Sequence, residues 1–213
     1  MAYELIAPTD TRLNGLSSAV AESDIFGSRV QAIVTAMTKI ALGERDEEHP
    51  EKPSMVGLAA PQIGAFERII LFDHNAEAGQ ANFDVDLRFI INPIITWAGG
   101  DEGLGREGCY STSNICGAVF RSAEIQVTGL DEKGKHVHYG LHGFLARIVQ
   151  HEIDHLNGIR FPDRVRQPEH LHMVDKTDFQ NYRENWAKWD QLCPVEGWLK
   201  LKSGNDGLQG QMV

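Results

Sequence analysis

His151-Glu152-Ile153-Asp154-His155 constrains this 213-residue chain more than any other segment. Two histidines four residues apart on a helix share one face, with Cβ atoms about 5–6 Å apart, so both imidazoles can reach a single metal ion. Glu152 is rotated by about 100° from His151. From there its carboxylate can take a proton from a water that the ion activates, without binding the ion itself. The surrounding Phe144, Leu145, Ile148, Val149 and Leu156 predict a buried helix over 144–156, closed by Asn157-Gly158 as a C-cap. Buried histidines and a buried glutamate need partners, and a metal supplies them. The helix is therefore expected in the interior of the fold.

The rest of the pattern says how. Val30, Ile33, Val34, Met37 and Ile40-Ala41 fall on one side of a helix predicted from Gly27 to Leu42, ended by Gly43. Strands are expected over 68–72, 89–97, 123–129 and 136–141. A charged segment with two prolines, Glu44 to Pro53, reads as a surface loop, as does the polar stretch around Asn75 to Ala81. Gly99 to Gly117 reads as a Gly-rich connection. Strands in one block with helices at either end indicate an α+β class, with antiparallel or mixed sheets packed around the central HExxH helix. From about Gln167 the character changes. A third helix is expected over Thr177 to Leu192, with Asp178 near its start and Pro194 just after its end. Trp186, Trp189 and Trp198 give this part apolar anchors, and Ser203 to Val213 reads as a frayed terminus. The expected division is a catalytic domain over 1–166 and a C-terminal helical extension over 167–213 packed on it.

Composition narrows the function classes. A formal net charge of −10 repels nucleic-acid phosphates, so DNA and RNA binding are set aside. No stretch is long and apolar enough to span a bilayer, and Met1-Ala2-Tyr3-Glu4 lacks the basic and apolar regions of a signal peptide, which leaves the cytoplasm as the expected compartment. Three cysteines, an odd number, argue for a reducing compartment rather than a disulfide framework. Cys116 and Cys193 are expected to be small buried hydrophobes.

The motif leaves its third protein ligand open. Gly158 stands where metzincin peptidases have a glycine, but Phe161 occupies the position of their third histidine and cannot ligate. Glu184 is a candidate of the thermolysin type, and Cys109 is the soft candidate, since a thiolate with two imidazoles leaves one open position for water.

Three ordered segments resemble the signatures of peptide deformylases. They are Gly57-Leu58-Ala59-Ala60-Pro61-Gln62, Glu107-Gly108-Cys109-Tyr110-Ser111, and Gln150-His151-Glu152-Ile153-Asp154-His155-Leu156-Asn157-Gly158. The opening Ile6-Ala7-Pro8 with Arg12-Leu13 is also similar, and the resemblance covers roughly residues 5 to 166. It implies removal of the N-formyl group from the initiator methionine of new polypeptides. It implies Cys109, His151 and His155 as ligands of one divalent metal, Glu152 as acid and base, and Gln62 as an oxyanion donor, with the Tyr110 backbone N–H beside it. Ferrous iron is the metal expected in the cell, with zinc, nickel or cobalt able to occupy the site. The implied partners are N-formylmethionyl peptides and nascent chains, with at most a transient ribosome contact.

Among the substrate-contacting residues, Gly57 is expected to let a substrate strand pair with the backbone, and Ile148 to line a methionine pocket or simply fill the core; Glu107 is grouped with them. Asp154 is expected to bond a buried cation, with Arg121 one candidate, or to sit exposed as a cap. Three features depart from the family pattern. Met55 stands where the family has glycine, so that either the pocket mouth is narrower or the backbone differs; Tyr110 stands where leucine is common; and a long loop precedes Met55. Two other readings of the same residues are an HExxH-type metallopeptidase and a noncatalytic, deformylase-like metal-binding protein.

Overall fold

Val30, Ile33, Met37 and Ala41 repeat at helical spacing and give helix α1 (Ser28–Leu42) one buried face. The helix stops at Gly43, which takes φ 59°. In this computed structural model, which describes residues 3–43, 49, 54–77 and 84–205, that face packs on Leu58, Ile63, Ile69, Leu71 and Ile91. Strand β2 (Ile69–Asp73) is buried along its whole length because both its faces are covered. Ile69 and Leu71 point into the α1 cluster, while Ile70 and Phe72 join the opposite cluster with Ala146, Ile148, Val149 and Ile153. Those four belong to helix α2 (Gly143–Leu156), which carries the HExxH residues. The two helices thus lie on opposite faces of one sheet, which is the α+β arrangement the sequence predicts.

The sheet runs in chain order: β1 (Gly57–Ala59), β2, β3 (Leu87–Gly108), β4 (Ile115–Leu130) and β5 (His136–His142), every neighbouring pair antiparallel. A short β6 (Leu171–Met173) adds to β4. β3 and β4 are much longer than expected. The segment read as a Gly-rich connection is strand as far as Gly108, paired from Gly99↔Glu124 through Gly108↔Cys116. Glycines have no side chains to alternate, so the two-residue period that reveals a strand is missing there. Register shifts between Ile91 and Ile94, Ile95 and Trp97, and Gly99 and Glu102 further break the pattern.

The third predicted helix is shorter than expected. α3 (Phe179–Asn185) is flanked by 3-10 turns at Lys176–Asp178 and Trp186–Lys188, and α4 (Val195–Lys202) follows Pro194 unanticipated. Trp198 and Leu201 of α4 bury with Cys193, Phe161, Ile115 and Val119. Tyr182 buries with Cys116 and Val174, and Trp186 and Trp189 pack against them. Cys116 and Cys193 are buried and free, as small hydrophobes should be. The loop at Glu44 to Pro53 lies, except for His49, outside the described residues, as do part of the loop at 75–81 and most of 203–213. Among the described residues no helix is long and apolar enough to cross a membrane.

Candidate metal centre

The end of α2 is fixed by backbone geometry. Gly158 takes φ 70° and its N–H donates to the His155 carbonyl at 3.2 Å, while the Ile159 N–H donates to the Asp154 carbonyl at 2.9 Å. Any side chain at 158 would collide with the Asn14 carbonyl, so glycine is needed for space as well as for conformation. The final turn of α2, with His151, Glu152 and His155, is therefore held in one place. Across from it β3 delivers Cys109, extended at φ −148° and ψ 145°, into a 3-10 turn over Tyr110–Thr112. Thr112 grips the Cys109 carbonyl twice, from its N–H at 3.0 Å and its hydroxyl at 2.9 Å.

Cys109, His151 and His155 bring one ligand atom each to within 4.8 Å of one another. Cys109 Sγ lies 3.4 Å from His155 Nε2. A tetrahedral ion with bonds of about 2.3 Å to sulfur and about 2.0–2.1 Å to nitrogen holds those atoms about 3.6 Å apart, so the spacing fits an ion between them. The two imidazole rings are 5.0 Å apart and steeply inclined at 75°. His151 Nδ1 is bonded to Glu107 Oε2 at 2.8 Å, which turns its other nitrogen to the site. Glu184, the other candidate ligand, is exposed on α3 and accepts from Gln180 at 2.6 Å, away from this group.

The side chain of Glu107 is tied to His151 and to two arginines. Its carboxylate takes two hydrogen bonds from Arg121, at 3.0 and 2.9 Å, one from Arg147 at 2.8 Å and the one with His151. Burial alone would raise its pKa, but the bonds from His151 and Arg121 override that and hold it well below the usual carboxylate range. Arg121 continues the network to Asp154, which also receives Arg164 at 2.6 Å. The bonded-cation reading of Asp154 thus holds. This buried chain of charges locks the face of α2 behind the histidines. Replacing Glu107 with Gln keeps its size but removes the charge that orients His151, and metal affinity is expected to fall about 10–100-fold. Competition against a chelator measures it, and an unchanged affinity would contradict the role. A cavity of about 480 Å³ lined by Arg121, Gln150, Asp154 and Arg164 lies on this far side of α2, not at the histidines.

Electrostatics at the three groups suit a cation. Burial lowers His155 well below its ordinary pKa, helped by the neighbouring His151 and Arg160, so it presents a neutral imidazole. Burial pulls His151 down too, but Cys109 and Glu107 outweigh it and raise His151 well above the ordinary value. The sulfur and the carboxylate favour positive charge at His151, and a bound metal ion would provide it in place of the proton. Burial pushes the Glu152 carboxyl up to about 7, and its Oε2 is buried with no protein partner among the described residues. Phe161, which cannot ligate, stacks on His151 with ring centroids 6.2 Å apart and 24° between planes.

The remaining expected residues fall around this centre. Gln62 is buried; its Oε1 accepts from the Ala59 N–H at 2.8 Å, and its Nε2 points at Cys109 Sγ at 3.3 Å and Ser111 Oγ at 3.2 Å. A Cβ on Gly57 would run into the Glu152 carboxylate and Ile148, so β1 passes directly over the glutamate. Ile148 is buried in the α2 cluster. Tyr110 is half exposed beside Cys109. The Met55 N–H donates to the Ala41 carbonyl at 2.8 Å, and its side chain packs against the α1 cluster. Arg147, Ser111 and Arg160 touch the centre or its supports and were not anticipated.

Residues 4–170 match the polypeptide deformylase family. A peptide deformylase of Halothermothrix orenii is 42% identical over 134 residues, covering 62% of this chain and 82% of that protein. The chloroplastic and mitochondrial peptide deformylase 1A of Arabidopsis thaliana is 32% identical over 185 residues, covering 82% of this chain; the match spans 65% of the plant protein's length, just under two thirds. Among solved structures, the Met-Ala-Ser-bound class I type b peptide deformylase from Acinetobacter baumannii superposes with a TM-score of 0.66 at 29% identity, covering 77% of this chain and 99% of that one.

Proposed function

The chain belongs to the polypeptide deformylase family, and on that premise we propose that it removes the N-formyl group from the N-terminal methionine of newly made polypeptides, releasing formate. The observation that carries this reading is the convergence of Cys109, His151 and His155 beside Glu152, whose Oε2 has no protein partner among the described residues, beneath the backbone of Gly57. The two histidines and the cysteine would hold the ion, which when bound supplies a Lewis acid that makes water nucleophilic near neutral pH. Glu152 accepts a proton from the water that attacks the formyl carbon and passes it to the departing amine, so that formate and a free methionyl N-terminus are the products. Gln62 Nε2 and the Tyr110 backbone N–H donate to the oxygen that gains charge. Gly57, on the edge strand β1, pairs with the extended substrate backbone, and Ile148 lines the space for the methionine side chain. The Met-Ala-Ser complex of the Acinetobacter relative supports a peptide in this place.

The mixed sulfur and nitrogen donor set suits ferrous iron, zinc, nickel and cobalt, and we infer iron as the metal in the cell. We take residues 1–166 as the catalytic unit and 167–213 as an extension on the same domain, in keeping with the cluster that Phe161 and Trp198 share. A reducing cytoplasm suits three free cysteines. A net charge of −10 favours no more than a transient ribosome contact. The test is reconstitution: chelated protein given one equivalent of Fe(II), Ni(II) or Zn(II) without oxygen should regain formate release from formyl-Met-Ala-Ser. Formate release at the buffer rate with every metal would overturn the proposal.

A further inference from the structure

Arg160 is completely buried, yet among the described residues no carboxylate forms an ion pair with its guanidinium. Its Nη1 donates to the Pro8 carbonyl at 2.7 Å and to the Ser111 carbonyl at 2.9 Å, and its Nη2 donates to Asn14 Oδ1 at 2.9 Å. Its Nε has no protein partner among the described residues. Burying a guanidinium on neutral acceptors is expensive, and an apolar residue would fill the same volume without that cost. What the guanidinium adds is reach in two directions. It joins the N-terminal segment around Pro8 and Asn14 to the turn that follows Cys109.

That turn adjoins the one ligand of the metal group that is not on α2, since both histidines sit on that helix and Cys109 does not. Ser111 stands two residues beyond the sulfur ligand. Its hydroxyl meets Gln62 Nε2 at 3.2 Å and its carbonyl meets Arg160. The guanidinium is itself held from the C-terminal side. The Trp198 ring of α4 lies over it at 4.5 Å, and Trp198 Nε1 donates to Asp163 Oδ1 at 3.0 Å. Asp163 Oδ2 accepts the Arg160 backbone N–H at 3.2 Å, and Lys202 Nζ reaches Asp163 Oδ1 at 2.7 Å. The Lys202 carbonyl then accepts from Asn14 Nδ2 at 2.9 Å, closing a ring of contacts around Arg160.

We propose that Arg160 is a positioning residue for the cysteine turn of the metal centre, and that α4, which lies beyond the part of the chain matching the family, holds it in place through Trp198. The inference rests on the metal-centre reading above. Lysine can replace it only in part, because one ammonium lacks the planar fork that bridges Pro8, Ser111 and Asn14.

The experiment loads full-length wild type, Arg160→Leu, Arg160→Lys, Trp198→Leu and Trp198→Phe with cobalt(II). It reads the thiolate-to-cobalt absorption band, the rate of cobalt loss to a chelator, and kcat and KM for formate release from formyl-Met-Ala-Ser. Arg160→Leu should shift or weaken the band and speed cobalt loss about 10–100-fold, the range for a group that orients a ligand. It should lower kcat more than it changes KM. Arg160→Lys should recover part of each effect. Trp198→Leu should move all three readouts in the same direction by less, and Trp198→Phe, which keeps an aromatic face, by less again. A band and a cobalt-loss rate unchanged in Arg160→Leu and Trp198→Leu, however much stability falls, would overturn the proposal and leave a purely structural role. If Arg160→Leu does not fold, Arg160→Lys and Trp198→Leu decide by the same criteria. Band and cobalt loss need no turnover. A wild type that binds cobalt with the band but releases no formate would therefore sink the deformylase reading alone, and a wild type with no thiolate band would sink both.

Discussion

Glu152→Ala should lower the rate of formate release by about a hundred- to ten-thousand-fold while the protein keeps its metal. Glu152 is 5% exposed, and the backbone of Gly57 passes so close that only a hydrogen fits between them. No protein donor among the described residues satisfies its Oε2. Burial raises its pKa to about 7, which makes its carboxylate a better proton acceptor near neutral pH than an exposed glutamate. None of the three ligand atoms belongs to Glu152, so its removal leaves the sulfur and both nitrogens in place. Metal content and initial rate measured on one sample check this. A rate within about tenfold of wild type would contradict a proton-transfer role, as that is less than general-base catalysis contributes.

Cys109→Ala should do the opposite, stripping the metal first and the activity with it. Two imidazoles alone lack the sulfur that lies 3.4 Å from His155 Nε2 and favours positive charge at His151. Affinity should fall at least about 100-fold, beyond what loss of an outer-shell partner such as Glu107 produces. The fold should survive, because Gln62 Nε2 still has Ser111 Oγ at 3.2 Å, and Thr112 still holds the carbonyl of residue 109. Chelator competition measures the affinity. Full metal retention in the variant would show that the third ligand lies elsewhere, as an HExxH peptidase with a carboxylate ligand requires.

How much of this was legible in the sequence depended on periodicity. His151, Glu152 and His155 follow from the helical repeat, and α2 ends at the Asn157-Gly158 signal that predicts it. Arg147 is four residues before His151 on the same face and bonds Glu107, so the same repeat could have found it. The bond from Glu107 to His151 was also within reach of the sequence, since a strand period of two sets Glu107 on the same face as Cys109, and so toward α2. By contrast, the glycines at 99, 100, 103, 105 and 108 leave no alternation to read, and that half of β3 was invisible. Arg160 was hidden for another reason. Its acceptors at Pro8, Asn14 and Ser111 lie far away in the chain, and no local pattern announces a buried guanidinium bound to carbonyls. Met55 could be flagged by motif comparison as a departure, but only the structure shows its side chain packed against the α1 cluster and its N–H bonded to Ala41.

The central claim is that this centre hydrolyses a formamide and leaves peptide bonds alone. Mass spectrometry of formyl-Met-Ala-Ser after incubation with the iron-loaded protein, with formate quantified in the same tube, tests it most directly. The expected result is intact Met-Ala-Ser with one equivalent of formate for each peptide converted. Release of Ala-Ser or Ser from a still-formylated fragment, or metal-loaded protein that leaves the formyl peptide untouched, would contradict it.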